Sequence, residues 1–303
     1  MAALPFVAVV GPTAAGKSDL AVELAVRLAG EVVNADAMQL YRGMDIGTAK
    51  LSEAERRGVP HHLLDVFEVT ETVSVAQFQR IARAAIDDCR GREVVPLLVG
   101  GSALYVRAVL DRFEFPGTDE AVRARLEAEL ATVGAAALHA RLAAVDPTAA
   151  ASILPTNGRR VVRALEVVEL TGRPFAATLP QMRYAYDDVV QVGVDVPRDV
   201  LDRRIEERVD RMWRDGLVDE VRRLDAAGLR MGRTASRALG YAQVLRYLAG
   251  EWTEDEAREH TVRATRRFAR RQDAWFRKDP RIDWLPSDAD DLVECALAQL
   301  AAP

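Results

Sequence analysis

The feature that limits the possible folds most is a loop near the start of the chain, which reads Gly11, Pro12, Thr13, Ala14, Ala15, Gly16, Lys17 and Ser18. An apolar run over residues 4–10 precedes this loop, and residues 19–29 carry leucine at helical spacing after it. Strand, glycine-bounded loop and helix in this order are the context in which G-x-x-x-x-G-K-[ST] binds phosphate. The loop amides and the helix N-terminus face the anion, Lys17 adds a cation, and Ser18 supplies a hydroxyl for Mg²⁺. We therefore predict that these eight residues bind a diphosphate or a polyphosphate.

Two further segments bring polar groups to the same edge of the predicted sheet. Residues 31–35 have strand character and end at Asp36, and residues 93–99 form a third predicted strand that ends in Gly100 and Gly101. Ligands of a parallel sheet gather at the carboxyl ends of its strands, so we expect Asp36 near the phosphate. Many P-loop nucleotide hydrolases place an aspartate for Mg²⁺ at the end of such a strand. The glycines found here make a nucleotide hydrolase a weaker interpretation, and they favour a phosphate loop that holds a leaving group.

These patterns predict an α/β fold with a P-loop NTPase-like parallel sheet core, a helical insertion domain and a helical C-terminal region. Residues 1–115 alternate strands and helices and form the first part of the core in this prediction. Residues 116–187 form the insertion, helical from 119 to about 177 and punctuated by prolines. Residues 188–303 return to the core through a strand at 189–196 and continue as helices, with a last strand near 282–285.

Composition and charge exclude several classes of protein. The 303 residues are 49% hydrophobic and 29% charged, with a formal net charge of −5, which argues against indiscriminate coating of nucleic acid. No apolar run approaches the roughly 18 residues of a membrane span, and the first residues lack a basic leader, so we expect a cytoplasmic protein without a membrane partner. The adjacent His61 and His62 suggest a metal site only weakly, because neighbouring side chains point apart and no third ligand is expected nearby. We expect a structural role for them.

A basic, aromatic segment near the C-terminus suggests contact with nucleic acid. Residues 258–281 hold nine arginines and lysines against three acidic residues, with Phe268, Trp275 and Phe276 between them. Such a helix suits a phosphate backbone and unstacked bases. A solvated helix face has the same composition, so both interpretations stand at this point.

Six segments in order resemble successive motifs of the tRNA dimethylallyltransferases: residues 11–18, 34–50, 60–65, 100–105, 160–167 and 238–241. The resemblance covers residues 11 to about 284, and the stretch around Asp36 and Tyr41 is its most specific part. Two positions depart from the family pattern. Ala37 stands where serine is common and loses a side-chain contact, whereas Ser102 replaces threonine and keeps the hydroxyl.

The resemblance implies transfer of a dimethylallyl group from dimethylallyl diphosphate to the exocyclic amine of the adenosine just 3′ of the anticodon. Asp36 would accept the amine proton, and Lys17 and Arg222 would add cations at the diphosphate. Thr13 would hydrogen-bond either the diphosphate or the amine. Ser18 would hold Mg²⁺. The partner would be the anticodon stem-loop of tRNA, contacted by the helical insertion, and the enzyme is expected to be a monomer.

The same resemblance implies a set of positions that face the RNA. They are Asp36, Ala37, Met38, Gln39, Ser102, Arg123, Arg160, Val161, Val162, Arg163, Ala164, Arg237, Gly240, Tyr241 and Gln243. The adenine would have to leave its stack to reach Asp36.

Two rival interpretations use the same residues. A P-loop kinase for a nucleotide or small molecule explains Lys17, Ser18 and Asp36 equally well, but not the basic helix or residues 36–50. A nucleotide-gated RNA-binding protein without enzymatic activity explains the basic helix. It leaves Asp36 as an unfavourable charge beside a phosphate.

Overall fold

A six-stranded parallel sheet forms the centre of the computed structural model, which describes residues 5–175 and 182–301. The strands are β1 (Phe6–Val10), β2 (Glu31–Asn34), β3 (His61–His62), β4 (Pro96–Gly100), β5 (Val189–Asp195) and β6 (Ile282–Pro286). Their order across the sheet is β3-β2-β4-β1-β5-β6, and each neighbouring pair is parallel. The predicted α/β fold with a parallel core is confirmed.

Helices connect and cover these strands. They are α1 (Lys17–Leu28), α2 (Val75–Gly91), α3 (Ala103–Leu110), α4 (Glu120–Val145), α5 (Pro147–Ser152), α6 (Gly158–Thr171), α7 (Arg198–Arg214), α8 (Leu217–Ala226), α9 (Tyr241–Leu248), α10 (Glu254–Phe276) and α11 (Leu292–Ala301). Two 3₁₀ turns, Leu229–Met231 and Ala235–Arg237, lie between α8 and α9. Local sequence sets several helix starts: Ser74 caps α2, and Thr253 with Glu256 forms a capping box on α10.

Both faces of the sheet are buried, as expected for parallel strands with covering helices. All five residues of β1 are buried, and so are all five of β4. Side chains of β1 alternate between two apolar clusters, with Phe6, Ala8 and Val10 in one and Val7 and Val9 in the other. The central strands are therefore fixed on both sides, and the loops at their carboxyl ends start from rigid positions.

The chain divides into two compact units. Met1–Asp111 and Arg183–Pro303 make up the first, which holds the sheet, and Arg112–Met182 makes up the second. The second unit begins and ends a few residues earlier than the predicted insertion, 116–187. The sequence predicts helix up to about residue 177. The last helix of this segment, α6, ends at Thr171, and residues 176 and 177 lie outside the described part.

The second unit is built from α4, α5 and α6 around an apolar core that includes Leu126, Leu142 and Leu165. Within the described ranges α4 is the one helix long and apolar enough, by length and composition, to cross a membrane. Gly134 interrupts it with φ of 81° and ψ of 166°. Each of the two resulting segments is shorter than the roughly 20 residues that a span requires.

The shortest strand was not predicted. His61 and His62 form β3 and pair with Val32 and Val33 of β2. A two-residue strand has too little periodicity to be recognised in a sequence. The strands predicted at 189–196 and 282–285 are confirmed as β5 and β6.

Candidate active site

The loop between β1 and α1 has the backbone shape of an anion cradle. Gly11 and Gly16 have φ of 136° and 94°, and Ala14 between them also lies in the left-handed region with φ of 65°. These dihedrals curl successive amides toward one side. Because α1 begins at Lys17, the first amides of the helix have no acceptor within it and face the same space.

A cavity of about 390 Å³ opens above this loop, within the first unit. Its wall includes Thr13, Lys17 and Ser18 from the loop and Asp36 from the end of β2. In the sheet β4 lies between β1 and β2, and Gly100 and Gly101 at its carboxyl end also line the cavity. The predicted meeting of the phosphate loop and Asp36 is therefore present.

Asp36 is held by its own neighbours. Buried Asn34 accepts a hydrogen bond from the Asp36 amide at 2.9 Å and donates to the Asp36 carbonyl at 3.1 Å. The Asp36 carboxylate accepts the Met38 amide at 2.9 Å, and the Gln39 amide also hydrogen-bonds to it. The Asn34 side chain thus fixes the Asp36 backbone, and the Met38 amide holds the carboxylate, before any ligand binds.

Burial and nearby charges shift the titration of this group and of the loop lysine. Burial raises the pKa of Asp36, while the Met38 amide and the charges of Lys17 and Arg208 oppose the rise. Burial, together with the charge of Arg208, lowers the pKa of Lys17 to about 8. The Lys17 ammonium donates to the Pro12 carbonyl at 2.6 Å. A carboxylate made more basic beside a lysine made less basic is typical of a catalytic site.

Arg208 is the main site residue that the sequence prediction missed. It lies on α7, lines the cavity and donates to the Thr13 hydroxyl at 3.3 Å. The prediction had assigned this role to Arg222, which is corrected: Arg222 lies on α8, pairs with Asp219, and its side chain is 58% exposed. No local signal marks Arg208, because α7 carries several arginines and its packing decides which one faces inward.

The loop after Asp36 is held by a buried carboxylate. Glu220 on α8 is 2% exposed and accepts the amides of Asp45, Ile46 and Gly47 at 3.2, 2.8 and 3.1 Å. The Tyr241 hydroxyl donates to the same carboxylate at 2.6 Å. Gly47 packs so tightly on the Tyr241 ring that a Cβ would lie 2.4 Å from it.

This arrangement corrects the prediction that Tyr241 faces the RNA. Its side chain is fully buried and forms part of the wall that supports residues 45–47. Three more predicted RNA contacts are corrected for the same reason, because their side chains are buried within the second unit: Val161, Val162 and Ala164.

Other predicted RNA-facing residues lie on accessible surface or have structural partners. Gln39 lines the cavity and donates to the Thr48 carbonyl at 3.1 Å, and the Ser102 hydroxyl accepts the Ala37 amide at 3.5 Å. Met38 is half-buried next to Asp36.

The remaining predicted RNA contacts divide between the two units. In the second unit Arg123 and Arg163 pair with buried Glu166 at 2.6 and 2.8 Å, and Arg160 is exposed. In the first unit Arg237 is exposed. Gly240 donates to the Gln243 side chain at the start of α9. Contact of these residues with RNA stays a prediction.

The basic segment is helix α10, and its arginines fall into two groups. Arg266 pairs with Glu206 at 2.7 Å, and Arg270 lies 3.7 Å from Asp202, so both are engaged with α7. Arg263, Arg267 and Arg271 are exposed and form no ion pair with any described residue. Their spacing of four residues puts them on one stripe of the helix.

His62 has closer neighbours than the sequence suggested. Its Nε2 lies 2.7 Å from Glu31 and 3.8 Å from the Cys89 sulfur, which corrects the expectation that no third ligand is near. Arg92 donates to both Glu31 oxygens and lowers the pKa of Glu31 to about 2, while burial raises that of Cys89 to about 11. The carboxylate charge is thus already paired and the thiol stays protonated, so a structural role remains the better interpretation.

A parallel sheet with a phosphate loop at its carboxyl edge identifies the chain as an α/β protein of the P-loop class. Comparison with known proteins narrows this class. The family model of the IPP transferases matches residues 39–279, which is most of the chain. The protein belongs to the IPP transferase family, as the sequence resemblance predicted.

Curated relatives agree over almost the full length. A tRNA dimethylallyltransferase of Salinispora arenicola (strain CNS-205) is 70% identical over 296 residues, which are 98% of this chain and 86% of the relative. Another, from Thermobifida fusca (strain YX), is 68% identical over 297 residues, covering 96% of this chain and 93% of the relative.

Solved structures show the same fold. The tRNA isopentenylpyrophosphate transferase of Bacillus halodurans superposes with a TM-score of 0.72 at 42% identity, covering 98% of this chain and 97% of that one. A eukaryotic dimethylallyltransferase, solved acting on tRNA, gives a TM-score of 0.84 at 24% identity over 98% of this chain and 77% of its own. The second likeness concerns the fold alone.

Proposed function

We propose that this protein transfers the dimethylallyl group of dimethylallyl diphosphate to the exocyclic amine of the adenosine 3′-adjacent to the anticodon of tRNA. Diphosphate is the second product. Family membership and relatives named for this transfer support the proposal. The observation that carries it is the presence of a phosphate loop and the Asp36 carboxylate in the lining of one cavity.

The phosphate loop is suited to the leaving group. When the carbon–oxygen bond of the allylic diphosphate breaks, the electron pair leaves with the diphosphate oxygen. Lys17 and Arg208 line the cavity in which this charge would develop, next to the loop whose backbone has the shape of an anion cradle. Fixed donors of this kind stabilise developing charge without reorganisation. The Thr13 hydroxyl, which accepts from Arg208, lines the same cavity.

Asp36 is suited to the acceptor side. The adenine amine is a weak nucleophile, because its lone pair is delocalised into the ring. As the new carbon–nitrogen bond forms, the amine becomes cationic and loses a proton. Burial raises the pKa of Asp36, which makes this carboxylate a better acceptor for that proton.

Mg²⁺ is part of this proposal. The Ser18 hydroxyl lies at the first turn of α1 on the cavity wall, and hydroxyl and diphosphate oxygens are ligands that Mg²⁺ prefers. When bound, the ion would neutralise charge on the diphosphate. Because β4 ends in glycine, Ser18 and the diphosphate itself would hold the ion without a carboxylate from that strand.

The tRNA partner accounts for features that a small acceptor leaves unused. The adenine would be flipped out of the anticodon loop to reach Asp36. The exposed arginines of α10 and of the helical unit would contact the phosphate backbone. We further propose that the enzyme acts as a monomer in the cytoplasm.

The experiment that tests the function combines the purified protein, Mg²⁺, dimethylallyl diphosphate and unmodified tRNA, followed by mass spectrometry of the nucleosides. A product that is heavier by one dimethylallyl group on adenosine, formed with one equivalent of diphosphate, is expected. Release of a nucleoside diphosphate from a nucleoside triphosphate would instead identify a kinase. Binding of tRNA without any product would identify an RNA-binding protein.

A further inference from the structure

Helix α10 inserts one uncharged polar side chain into the site, and the proposed reaction does not use it. Gln272 is 6% exposed and lines the cavity. Its side-chain oxygen accepts the Thr13 amide at 2.9 Å, and its side-chain nitrogen donates to the Gly101 carbonyl at 2.8 Å. One partner can only donate and the other can only accept, so a single orientation of the amide satisfies both.

The two contacts join two loops that both line the cavity. Thr13 belongs to the phosphate loop after β1, and its hydroxyl accepts from Arg208. Gly101 follows β4, and the next residue, Ser102, accepts the amide of Ala37, directly after Asp36. A single amide group therefore connects the diphosphate side of the cavity to the side of the proposed base.

The fit around this amide leaves no spare room. A Cβ built on Gly101 would lie 2.3 Å from the Gln272 nitrogen and 3.3 Å from the Gly11 carbonyl oxygen. Glycine at position 101 is thus the residue that allows the amide to approach the backbone. The Gln272 amide and the missing side chain of Gly101 are therefore both needed for this contact.

We propose that Gln272 is a positioning residue, which sets the separation between the phosphate loop and the Asp36 loop. This inference rests on the proposed function, because it assigns the phosphate loop to the dimethylallyl donor and the Asp36 loop to the adenosine acceptor. Gln272 touches backbone groups of the phosphate loop and of Gly101, whose neighbour Ser102 contacts the Asp36 loop, and it acts through them on the reacting atoms. Misplacement of reacting groups by about 1 Å can slow a reaction about 100-fold, so loss of the amide should reduce the rate of transfer more than the affinity for either substrate.

The first test replaces the amide by a side chain of similar length without hydrogen-bonding groups, Gln272→Met. The matched control is Gln191→Met: Gln191 is 2% exposed, donates to Tyr184 at 2.8 Å, and belongs to the same unit without lining the cavity. We expect Gln272→Met to lower the single-turnover rate at saturating substrates by about 10- to 100-fold, with substrate Kd values within about threefold. Both variants should lower Tm to a similar extent, and the control should keep its rate.

The second test reaches the same contact from the other side. Gly101→Ala should also slow transfer, because its methyl group displaces the Gln272 amide. In the double variant Gly101→Ala/Gln272→Ala the amide that would clash with the new methyl group is absent. Adding Gly101→Ala to Gln272→Ala should therefore lower the rate by less than about a further twofold. Rate losses that multiply would show that Gly101 and Gln272 act separately and would overturn the proposal.

The outcomes separate this inference from the proposed function. Wild-type protein that makes no dimethylallyl-adenosine overturns the function, and the positioning role with it. Wild-type activity that Gln272→Met retains within threefold overturns the positioning role alone. A much larger fall in Tm for Gln272→Met than for Gln191→Met, with the rate reduced in proportion to unfolded protein, would show a role in folding and would also overturn it.

Discussion

Arg208 donates a hydrogen bond to the hydroxyl of Thr13 across 3.3 Å, although 195 positions separate the two residues in sequence. The contact is possible because β5 is the neighbour of β1 in the sheet, and α7 follows β5 after only a short turn. A guanidinium from the C-terminal half of the chain thereby reaches the predicted phosphate loop near the N-terminus. Burial lowers the pKa of Arg208, yet an arginine keeps its proton in proteins, so the positive charge is permanent.

The first prediction concerns this arginine. Arg208→Gln should lower the rate of dimethylallyl transfer by about 100-fold, because the variant lacks one fixed cation facing the leaving diphosphate. Arg222→Gln is the matched control: Arg222 is exposed and paired with Asp219, so its variant should keep the wild-type rate. Equal losses in the two variants, measured by single-turnover kinetics, would restore Arg222 to the site.

The second prediction follows from the pKa of Lys17, which burial lowers to about 8. The protonated lysine is the form that binds diphosphate, so it is present below this pKa and disappears as the pH rises through it. In the free enzyme kcat/KM for dimethylallyl diphosphate should therefore fall between about pH 7.5 and 9. Lys17→Arg should remove this basic limb, whatever its absolute rate. If the basic limb keeps its position in Lys17→Arg, the titration belongs to another group.

The third prediction tests the exposed stripe on α10. Replacing Arg263, Arg267 and Arg271 together by Gln should weaken tRNA binding and flatten its dependence on salt concentration. The slope should fall by about 0.7–0.9 log units for each RNA phosphate that the variant no longer neutralises. Arg266→Gln serves as control, because Arg266 is engaged with Glu206. Affinity for dimethylallyl diphosphate should stay constant. A slope equal to that of the wild type would identify the stripe as a solvated helix face.

What could be predicted from the sequence depended on local pattern. The phosphate loop, the strand before it and the helix after it are contiguous, so their shape followed from one stretch of sequence. The position of Asp36 beside this loop was predicted correctly because a residue at the end of a parallel strand reaches the ligand edge wherever the strand lies in the sheet.

Residues whose role depends on tertiary packing were not predictable. Arg208 and Gln272 lie on long, arginine-rich helices, and only the docking of those helices decides which side chain faces the cavity. The sequence motif predicts Tyr241 on the RNA surface. In the structure its hydroxyl donates to the carboxylate of Glu220, which lies on a different helix, α8. The sequence identified the motif but not the direction of the side chain.

The fourth prediction follows from that correction. Tyr241→Phe removes the hydroxyl that donates to Glu220 and should lower the free energy of unfolding by about 1–3 kcal/mol, the usual cost of a hydrogen bond to a charged group. Affinity for tRNA should not change, because the ring is fully buried. Chemical denaturation and tRNA binding measured on the same preparation check both statements. A loss of tRNA affinity at unchanged stability would return Tyr241 to the RNA surface.

The last prediction concerns Asp36 as the base. Asp36→Asn keeps the size of the side chain and can still accept a hydrogen bond from the adenine amine, but it cannot take the proton. We expect the rate of transfer to fall by about 100-fold or more, in the range that general-base catalysis contributes. Binding of tRNA should change little, since no phosphate contact is removed.

The pH dependence distinguishes a base from a group that only orients the adenine. Burial raises the pKa of Asp36, and only its ionised form can accept a proton, so the wild-type rate should fall as the pH drops through this raised pKa. Single-turnover transfer at saturating dimethylallyl diphosphate and tRNA, measured from pH 9 down to the lowest pH at which the protein stays folded, should show this acidic limb in the wild type and not in Asp36→Asn. Because a kinase would also need a carboxylate here, the assay has to follow prenyl transfer to adenosine itself. A variant that keeps most of the wild-type rate across the range would mean that water or the departing diphosphate accepts the proton, and that Asp36 orients the amine.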